Sequence, residues 1–318
     1  MRFWAKGLSR ANEIAPLLIK EKSCDKKTMN KFNVVLFLPE GAGRKGEGGL
    51  RKQGCFKTST LDKPLITVVT AVFNGEKHLE ETIKSVINQT YENVEYIIID
   101  GGSTDATLDI IKKYEGNIDY WVSEDDEGIS DAFNKGVRLT LGTYINFQGD
   151  GDGYYEKNSL QNLIADVNFI DDIFISGRVQ RVSAVGNEIY ISKYFKKFNK
   201  KSLLFKMSIP HQGLLTHISY FKRYGLFDLN NTFCMDYEHL LRSYEKFPNV
   251  VTKDLIVARW RSDGLGTDRD LEIFKEYDKI KKENKVAIAP ILMCINFWIL
   301  FKFSIKEITY KYFLKKTD

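Results

Sequence analysis

Between residues 64 and 147 short apolar runs alternate with segments whose apolar residues recur at helical spacing, which leaves few folds open. Residues 65–73 read as a first strand, Leu79, Ile83, Val86 and Ile87 as a helix, and residues 94–100 as a second strand. A helix over 108–114, a strand over 118–122, a helix over 129–139 and a strand over 143–147 follow in order. Parallel strands need a crossover long enough to hold a helix, so this alternation predicts βαβ units around a largely parallel sheet. Further on, strand-like 173–179 and 188–191, helices around 218–224 and 237–244, and strand-like 255–260 complete one α/β core.

Composition removes several classes of function. With 43% hydrophobic and 28% charged residues over 318 positions, the chain is an ordinary globular one. Its 4 Cys (Cys24, Cys55, Cys234, Cys294) form no CxxC pair, which excludes a zinc ribbon or disulfide scaffold and points to a reducing compartment. No HExxH spacing occurs among the 4 His, so a catalytic metal would need carboxylate ligands. The formal charge of +5 is too small an excess to imply nucleic-acid binding.

In an open α/β sheet, ligands bind beyond the carboxyl ends of the strands, so polar residues just after apolar runs are the candidates. The first strand ends at Thr70-Ala71-Val72-Phe73-Asn74 and carries no GxGxxG, which argues against a nicotinamide enzyme. The second ends at Asp100, before Gly101-Gly102-Ser103-Thr104-Asp105. The strand over 143–147 runs into Gly149-Asp150-Gly151-Asp152-Gly153, two carboxylates in a glycine-flanked turn. Hard divalent cations take such oxygen ligands together with substrate phosphates. Asp105 reads as a helix cap.

Taken with Ser85-Val86-Ile87-Asn88-Gln89-Thr90-Tyr91, the run Asp126 to Gly136, Pro210-His211-Gln212 and Met235-Asp236-Tyr237-Glu238, these motifs resemble glycosyltransferase family 2 over about residues 64–266. The resemblance is to inverting enzymes of bacterial polysaccharide or O-antigen type. It implies the GT-A fold, a Rossmann-like mixed sheet flanked by helices that binds a nucleotide-diphosphate sugar. Thr70, Ala71 and Asp100 would then hold the nucleotide base, with Asn74, Asp131, Lys135, Asp150 and His211 on the nucleotide-sugar. Asp152 would be the principal ligand of Mg²⁺ or Mn²⁺ and Asp150 a second ligand or a ribose contact. Asp236 would be the general base that deprotonates an acceptor hydroxyl, since an alcohol is a weak nucleophile at neutral pH. The chain departs from the family in two places. Many members read Asn-Ser/Ala-Asp-Asp at the acidic turn, and many carry Arg where Phe133 stands, leaving Lys135 or Arg138 as the candidate positive charge.

The ends of the chain read differently. Residues 34–38 are strand-like and Gly41 to Gly49 a flexible surface loop, with no Gly-Lys-Ser/Thr to make it a Walker loop. Lys6, Arg10 and Glu13 interrupt the apolar core an export signal needs. Residues 286–301 form an apolar run short of the roughly 20 residues of a membrane span. Trp298, Phe301, Ile305, Ile308 and Tyr312, with interleaved lysines, describe a basic amphipathic helix for a membrane surface. The expected division is an N-terminal extension (1–63), a GT-A domain (64–266) and a C-terminal membrane-associating helical segment (267–318). The expected function is transfer of a sugar, from a UDP-sugar first, to a glycan or lipid-linked oligosaccharide in cell-surface polysaccharide synthesis. The place would be the cytoplasm, peripherally on the inner face of the membrane. Two rivals are a non-catalytic membrane-associated nucleotide- or glycan-binding protein of the same fold, and a sugar-nucleotide pyrophosphorylase.

Overall fold

The computed structural model describes residues 32–169, 173–264 and 266–314, with side chains as far as residue 305. Its frame is a ten-stranded sheet in the order β1-β4-β3-β2-β5-β9-β7-β10-β6, with β8 added to β7. The first part comprises β1 (Gly46–Gly48), β2 (Ile66–Val72), α1 (Leu79–Ile87), β3 (Val94–Asp100), α2 (Thr107–Lys113), β4 (Tyr120–Ser123), α3 (Ile129–Leu139) and β5 (Tyr144–Gly149). It continues through β6 (Gly153–Tyr154), α4 (Ser159–Ile164), β7 (Phe174–Val182), β8 (Glu188–Ile191), β9 (Leu214–His217), α5 (Ile218–Tyr224) and α6 (Met235–Leu241). Last come β10 (Val250–Arg261), α7 (Asp270–Glu283) and α8 (Ala289–Leu314).

β2 pairs in parallel with both β3 and β5, β3 with β4, and β7 with β10. Every residue of β2 and β3 is buried, as expected of central parallel strands covered on both faces. Ile66 and Val68 face α1 and α4 through Ile83 and Leu160, whereas Val69 and Ala71 meet Val137 of α3 and Phe221 of α5. A third apolar cluster joins Phe174 of β7 to Tyr237 of α6 and Ile280 of α7. Because β9 is antiparallel to both β5 and β7, all the parallel strands end on one edge. That edge carries the acidic turn.

Two readings of the N-terminal part are corrected. Residues 34–38 form no strand; Val35 and Leu38 pack against the α3 side of the core, and the Val35 amide donates to the Arg138 carbonyl. The glycine-rich stretch is not wholly a loop, since Gly46–Gly48 pairs antiparallel with β4 at the sheet edge. Its glycines admit Trp121: a Cβ at Gly48 would lie 2.6 Å from the indole nitrogen. β10 is also longer than its apolar run: it spans twelve residues and stays paired with β7 on both sides of the register shifts around Ile256.

Arg51, in the turn after β1, anchors this N-terminal part. Its guanidinium is buried and ion-paired with Glu95 of β3 at 2.6 Å, and it also donates to the Leu36 and Leu139 carbonyls. Thr67 and the Leu141 amide complete the Glu95 carboxylate. Removing one partner leaves a buried charge, so Arg51→Ala is expected to cost about 3–5 kcal/mol in urea unfolding. A loss below about 1 kcal/mol would contradict this role.

Candidate active site

The strand β5 leads straight into the acidic turn, so its sheet register sets where the two carboxylates stand. Gly151 has φ of 81° and passes close to Arg261, where a Cβ would lie 2.6 Å from the arginine Cδ. Asp152 is buried; its Oδ2 accepts from Gln212 Nε2 at 3.0 Å and from the Gly149 amide, and its Oδ1 accepts from the Arg261 amide at 3.1 Å. Asp150 is less enclosed, yet its Oδ1 is buried with no partner among the described residues.

A short turn, His211–Gly213, joins these acids to Asp236. Asn146 and Gln148, polar residues inside β5, donate to the carbonyls of this turn and so fix it against the sheet. Gln212 then reaches Asp152, while the neighbouring His211 places Nδ1 2.9 Å from Asp236 Oδ2. Asp236 stands in the first turn of α6, a helix that begins two residues before the expected one, and its Oδ1 accepts from the Tyr237 amide at 2.7 Å. The His211 and Asp236 side chains remain 24% and 21% exposed, open to a ligand. Phe133 packs edge-on against the His211 ring.

The remaining candidates lie at the adjoining strand ends. Thr70 is buried and shares a hydrogen bond with the Tyr96 hydroxyl, and Ala71 follows it on β2. Asn74 has φ of 53° and ties the loops after β2 and β3 together, its Oδ1 accepting from the Thr104 amide. Asp100 is fully buried, with Ser103 and Ser123 hydroxyls donating to its two oxygens. Asp105 stands one residue before the N-cap position of α2, which Ala106 occupies, and accepts from the Thr107 amide and hydroxyl in an Asx-type turn rather than as the cap itself. Asp131 and Lys135 face the loop after β4: Lys135 pairs with Glu124 at 3.0 Å and with Asp131 at 3.4 Å. The structure thus brings Asp150, Asp152, His211 and Asp236 together, and sets Asp131 and Lys135 in a separate ion-pair network.

Electrostatics mark the acidic turn as incomplete. Burial, then the charge of Asp152, pushes the Asp150 carboxyl up to about 7. Burial likewise raises Asp152 against its hydrogen bonds. For His211, burial is outweighed by the hydrogen bond and charge of Asp236 together with the charge of Asp152, so the ring stays protonated to a higher pH than usual. Two desolvated carboxylates, one with an orphan oxygen, are the donor set a hard divalent cation fits. No group of three or more His, Cys, Asp or Glu among the described residues is placed to hold a metal. The remaining ligands would come from substrate phosphates and water.

The sign of the Asp150 shift gives a stability prediction. The folded carboxyl titrates near 7 and the unfolded one near 3.8, so the folded state binds the extra proton between them. Stability from this group is therefore greatest at low pH and is lost as pH rises from about 4 to 7. In EDTA at pH 8, Asp150→Asn is expected to melt above the wild type, with the gap closing by pH 5. The buried His239, pulled down to about 3, works in the opposite sense but is common to both proteins. A gap independent of pH would refute the shift.

A mixed sheet of this order, with acids gathered at its carboxyl edge, defines the GT-A class of glycosyltransferase fold. Residues 67–243, more than half of the chain, match the family model described as glycosyl transferase family 2, and the chain belongs to that family. It is 26% identical over 242 residues to a PGL/p-HBAD biosynthesis glycosyltransferase of Mycobacterium bovis, covering 74% of this chain and 91% of that protein. Among solved structures it resembles S. aureus TarS 1-349 in complex with UDP-GlcNAc, with a TM-score of 0.56 and 15% identity over 74% of this chain and 71% of that one. It spans 65% of the same fragment's chain in its UDP complex. It also resembles the mannosyltransferase PcManGT of Pyrobaculum calidifontis in complex with GDP-Man and Mn²⁺, with a TM-score of 0.51 and 15% identity over 80% of this chain and 79% of that one. These likenesses show the fold.

The family resemblance puts Gln212 with His211 in a loop beside the acceptor or diphosphate, but its contact with Asp152 was not foreseen, nor were Asn146 and Gln148. The signal was available: two amide side chains in an otherwise apolar strand need partners, because buried polar groups are costly without them.

Proposed function

We propose that this glycosyltransferase is an inverting enzyme that moves a sugar from a UDP-sugar to a hydroxyl of a glycan acceptor. The observation that carries this reading is the turn His211–Gly213, which holds Asp152 through Gln212 and Asp236 through His211. Asp236 takes the proton of the acceptor hydroxyl as that oxygen bonds to the anomeric carbon. The bond from that carbon to the diphosphate breaks, and its electron pair leaves with the nucleoside diphosphate. A single displacement inverts the anomeric centre. Thr70, Ala71, Asn74 and Asp100 border the nucleotide, and His211 orients Asp236 beside the donor. Asp150 and Asp152 hold Mg²⁺ or Mn²⁺, which when bound neutralises charge on the departing diphosphate. Relatives of the same fold solved with UDP-GlcNAc and with GDP-Man and Mn²⁺ support the donor class and the metal.

The acceptor in this reading is lipid-linked and reached at the inner face of the membrane. No described helix is long and apolar enough to cross a membrane. α8 nonetheless exposes Ile291, Met293, Phe297 and Phe301, with Met293 71% and Phe297 72% exposed. Over 289–305 it carries a single charge, Lys302, so this part is apolar on more than one face rather than cleanly amphipathic. The side chains of Ile308 and Tyr312, which completed the expected stripe, lie outside the described ones. Leu292 and Ile295 are buried, and Lys281 of α7 bonds Asn296, so the helix is docked along one line. Large exposed apolar surface calls for a cover, and a bilayer interface supplies one.

The test is release of nucleoside diphosphate from a panel of nucleotide sugars, with membrane extract supplying acceptor. Release is expected from one donor, with Mg²⁺ or Mn²⁺ present, and is expected to stop with EDTA. Nucleotide binding without release from any donor would favour a binding protein of this fold instead.

A further inference from the structure

The carboxyl edge of the sheet holds one charge that the donor chemistry leaves unused. Arg181, near the end of β7, is in register with Tyr190 of β8 on one side and Trp260 of β10 on the other. Residues paired across neighbouring strands project from the same face, so the three side chains form a Tyr–Arg–Trp row. The guanidinium sits 4.6 Å from the Trp260 ring centroid. Arg178 and Arg261, nearby on the same strands, pair with Asp254 and Asp263. Arg181 has no ion-pair partner and no hydrogen-bond acceptor among the described residues, and its Nε is buried. A guanidinium offers five N–H donors in a fixed fork. A ring face balances part of its charge but accepts none of that fork, and partial burial without acceptors is unfavourable.

The row adjoins the reaction centre. Arg261, next to Trp260, donates its amide to Asp152 Oδ1 at 3.1 Å, and parallel pairing brings Arg181 and Trp260 to the edge where β5 ends. Tyr190 is 44% exposed. Aromatic faces beside a cation suit a sugar ring that carries an acid.

We infer that this row is an acceptor subsite for an acidic saccharide. Arg181 takes a carboxylate or phosphate of the acceptor, and Tyr190 and Trp260 hold its ring. This rests on the transferase reading above. The donor's own diphosphate is the rival anion, but the nucleotide residues stand at the ends of β2 and β3, and that assignment would leave Tyr190 nothing to hold.

The experiment is calorimetric binding to the full chain with UDP and Mn²⁺. The probes are p-nitrophenyl β-D-glucuronide, D-glucose 6-phosphate, and the neutral p-nitrophenyl β-D-glucoside and D-glucose. At least one acidic probe is expected to bind about tenfold tighter than its neutral counterpart, and which one does so separates carboxylate from phosphate. Arg181→Gln should erase the preference and Arg181→Lys keep part of it, since lysine brings the charge without the fork. Thermal melting checks that both variants fold. Equal binding of acidic and neutral probes, no saccharide binding, or a preference surviving Arg181→Gln overturns the inference. So does a weakened UDP affinity in Arg181→Gln without loss of acid preference, which assigns Arg181 to the donor. Donor turnover by the wild type reports separately on the transferase reading: turnover without acid preference sinks the subsite alone, and acid preference without turnover sinks the catalytic reading alone.

Discussion

Asp236→Asn is expected to lower the turnover number for sugar transfer by about 10²–10⁴-fold while leaving the donor KM within about twofold. Asp236 lies at the start of α6, where its Oδ1 is fixed by the Tyr237 amide and its Oδ2 by His211 Nδ1 at 2.9 Å. Asparagine keeps the shape and can still accept from the Tyr237 amide, but it cannot take a proton at neutral pH. In the proposed reading the donor is held from β2, β3 and the acidic turn, so donor binding should survive. Single-turnover assays with saturating donor separate the two effects. A variant that loses donor affinity but keeps its turnover number would move Asp236 out of the chemistry and into binding. His211→Ala should give a smaller loss, because it removes the group that orients the carboxylate and not the carboxylate itself.

The central half of the sheet was legible because its signals are local and repeated. β3, α3, β8 and α5 fall where apolar periodicity places them, and β2 is one residue shorter at each end. A buried parallel strand needs an unbroken apolar run, and the crossover helix needs a stripe, so the sequence carries both. The edge strand Gly46–Gly48 was not legible, since three residues with two glycines have no period and are held by Trp121 and β4 rather than by propensity. The Arg51–Glu95 pair was equally silent: the partners lie 44 positions apart, and only Glu95 between apolar neighbours hinted at a buried charge. The site divides the same way. The acidic turn follows directly from the end of β5, but its link to Asp236 runs through the 3D position of one short turn. No spacing in the chain reports that Gln212 meets Asp152 while His211 meets Asp236.

Asp152→Asn is expected to lower Mn²⁺ affinity measured with UDP bound by at least about 10²-fold, and transfer by about 10³-fold. Two effects act together. One anionic oxygen donor is lost from a pair that a divalent cation suits. In addition, Asp152 accepts from Gln212 Nε2, the Gly149 amide and the Arg261 amide, and an amide in its place must turn an NH₂ toward one of these donors. Gln212 can rotate its own amide to compensate, whereas the backbone amides of Gly149 and Arg261 cannot. The new side chain therefore turns its NH₂ either on the Arg261 amide or on Gln212 and the Gly149 amide together, and in either orientation a backbone N–H loses its acceptor, which loosens the seat of Gln212 and with it the turn that carries His211. Asp150→Asn lacks this second effect, because Asp150 Oδ1 has no partner among the described residues. Asp150→Asn should consequently weaken the metal without disturbing Asp236, and raising Mn²⁺ should restore most of its activity. Asp152→Asn should stay impaired at any metal concentration. Equal rescue of both variants by excess Mn²⁺ would show that the coupling from Asp152 through Gln212 to the base does not operate.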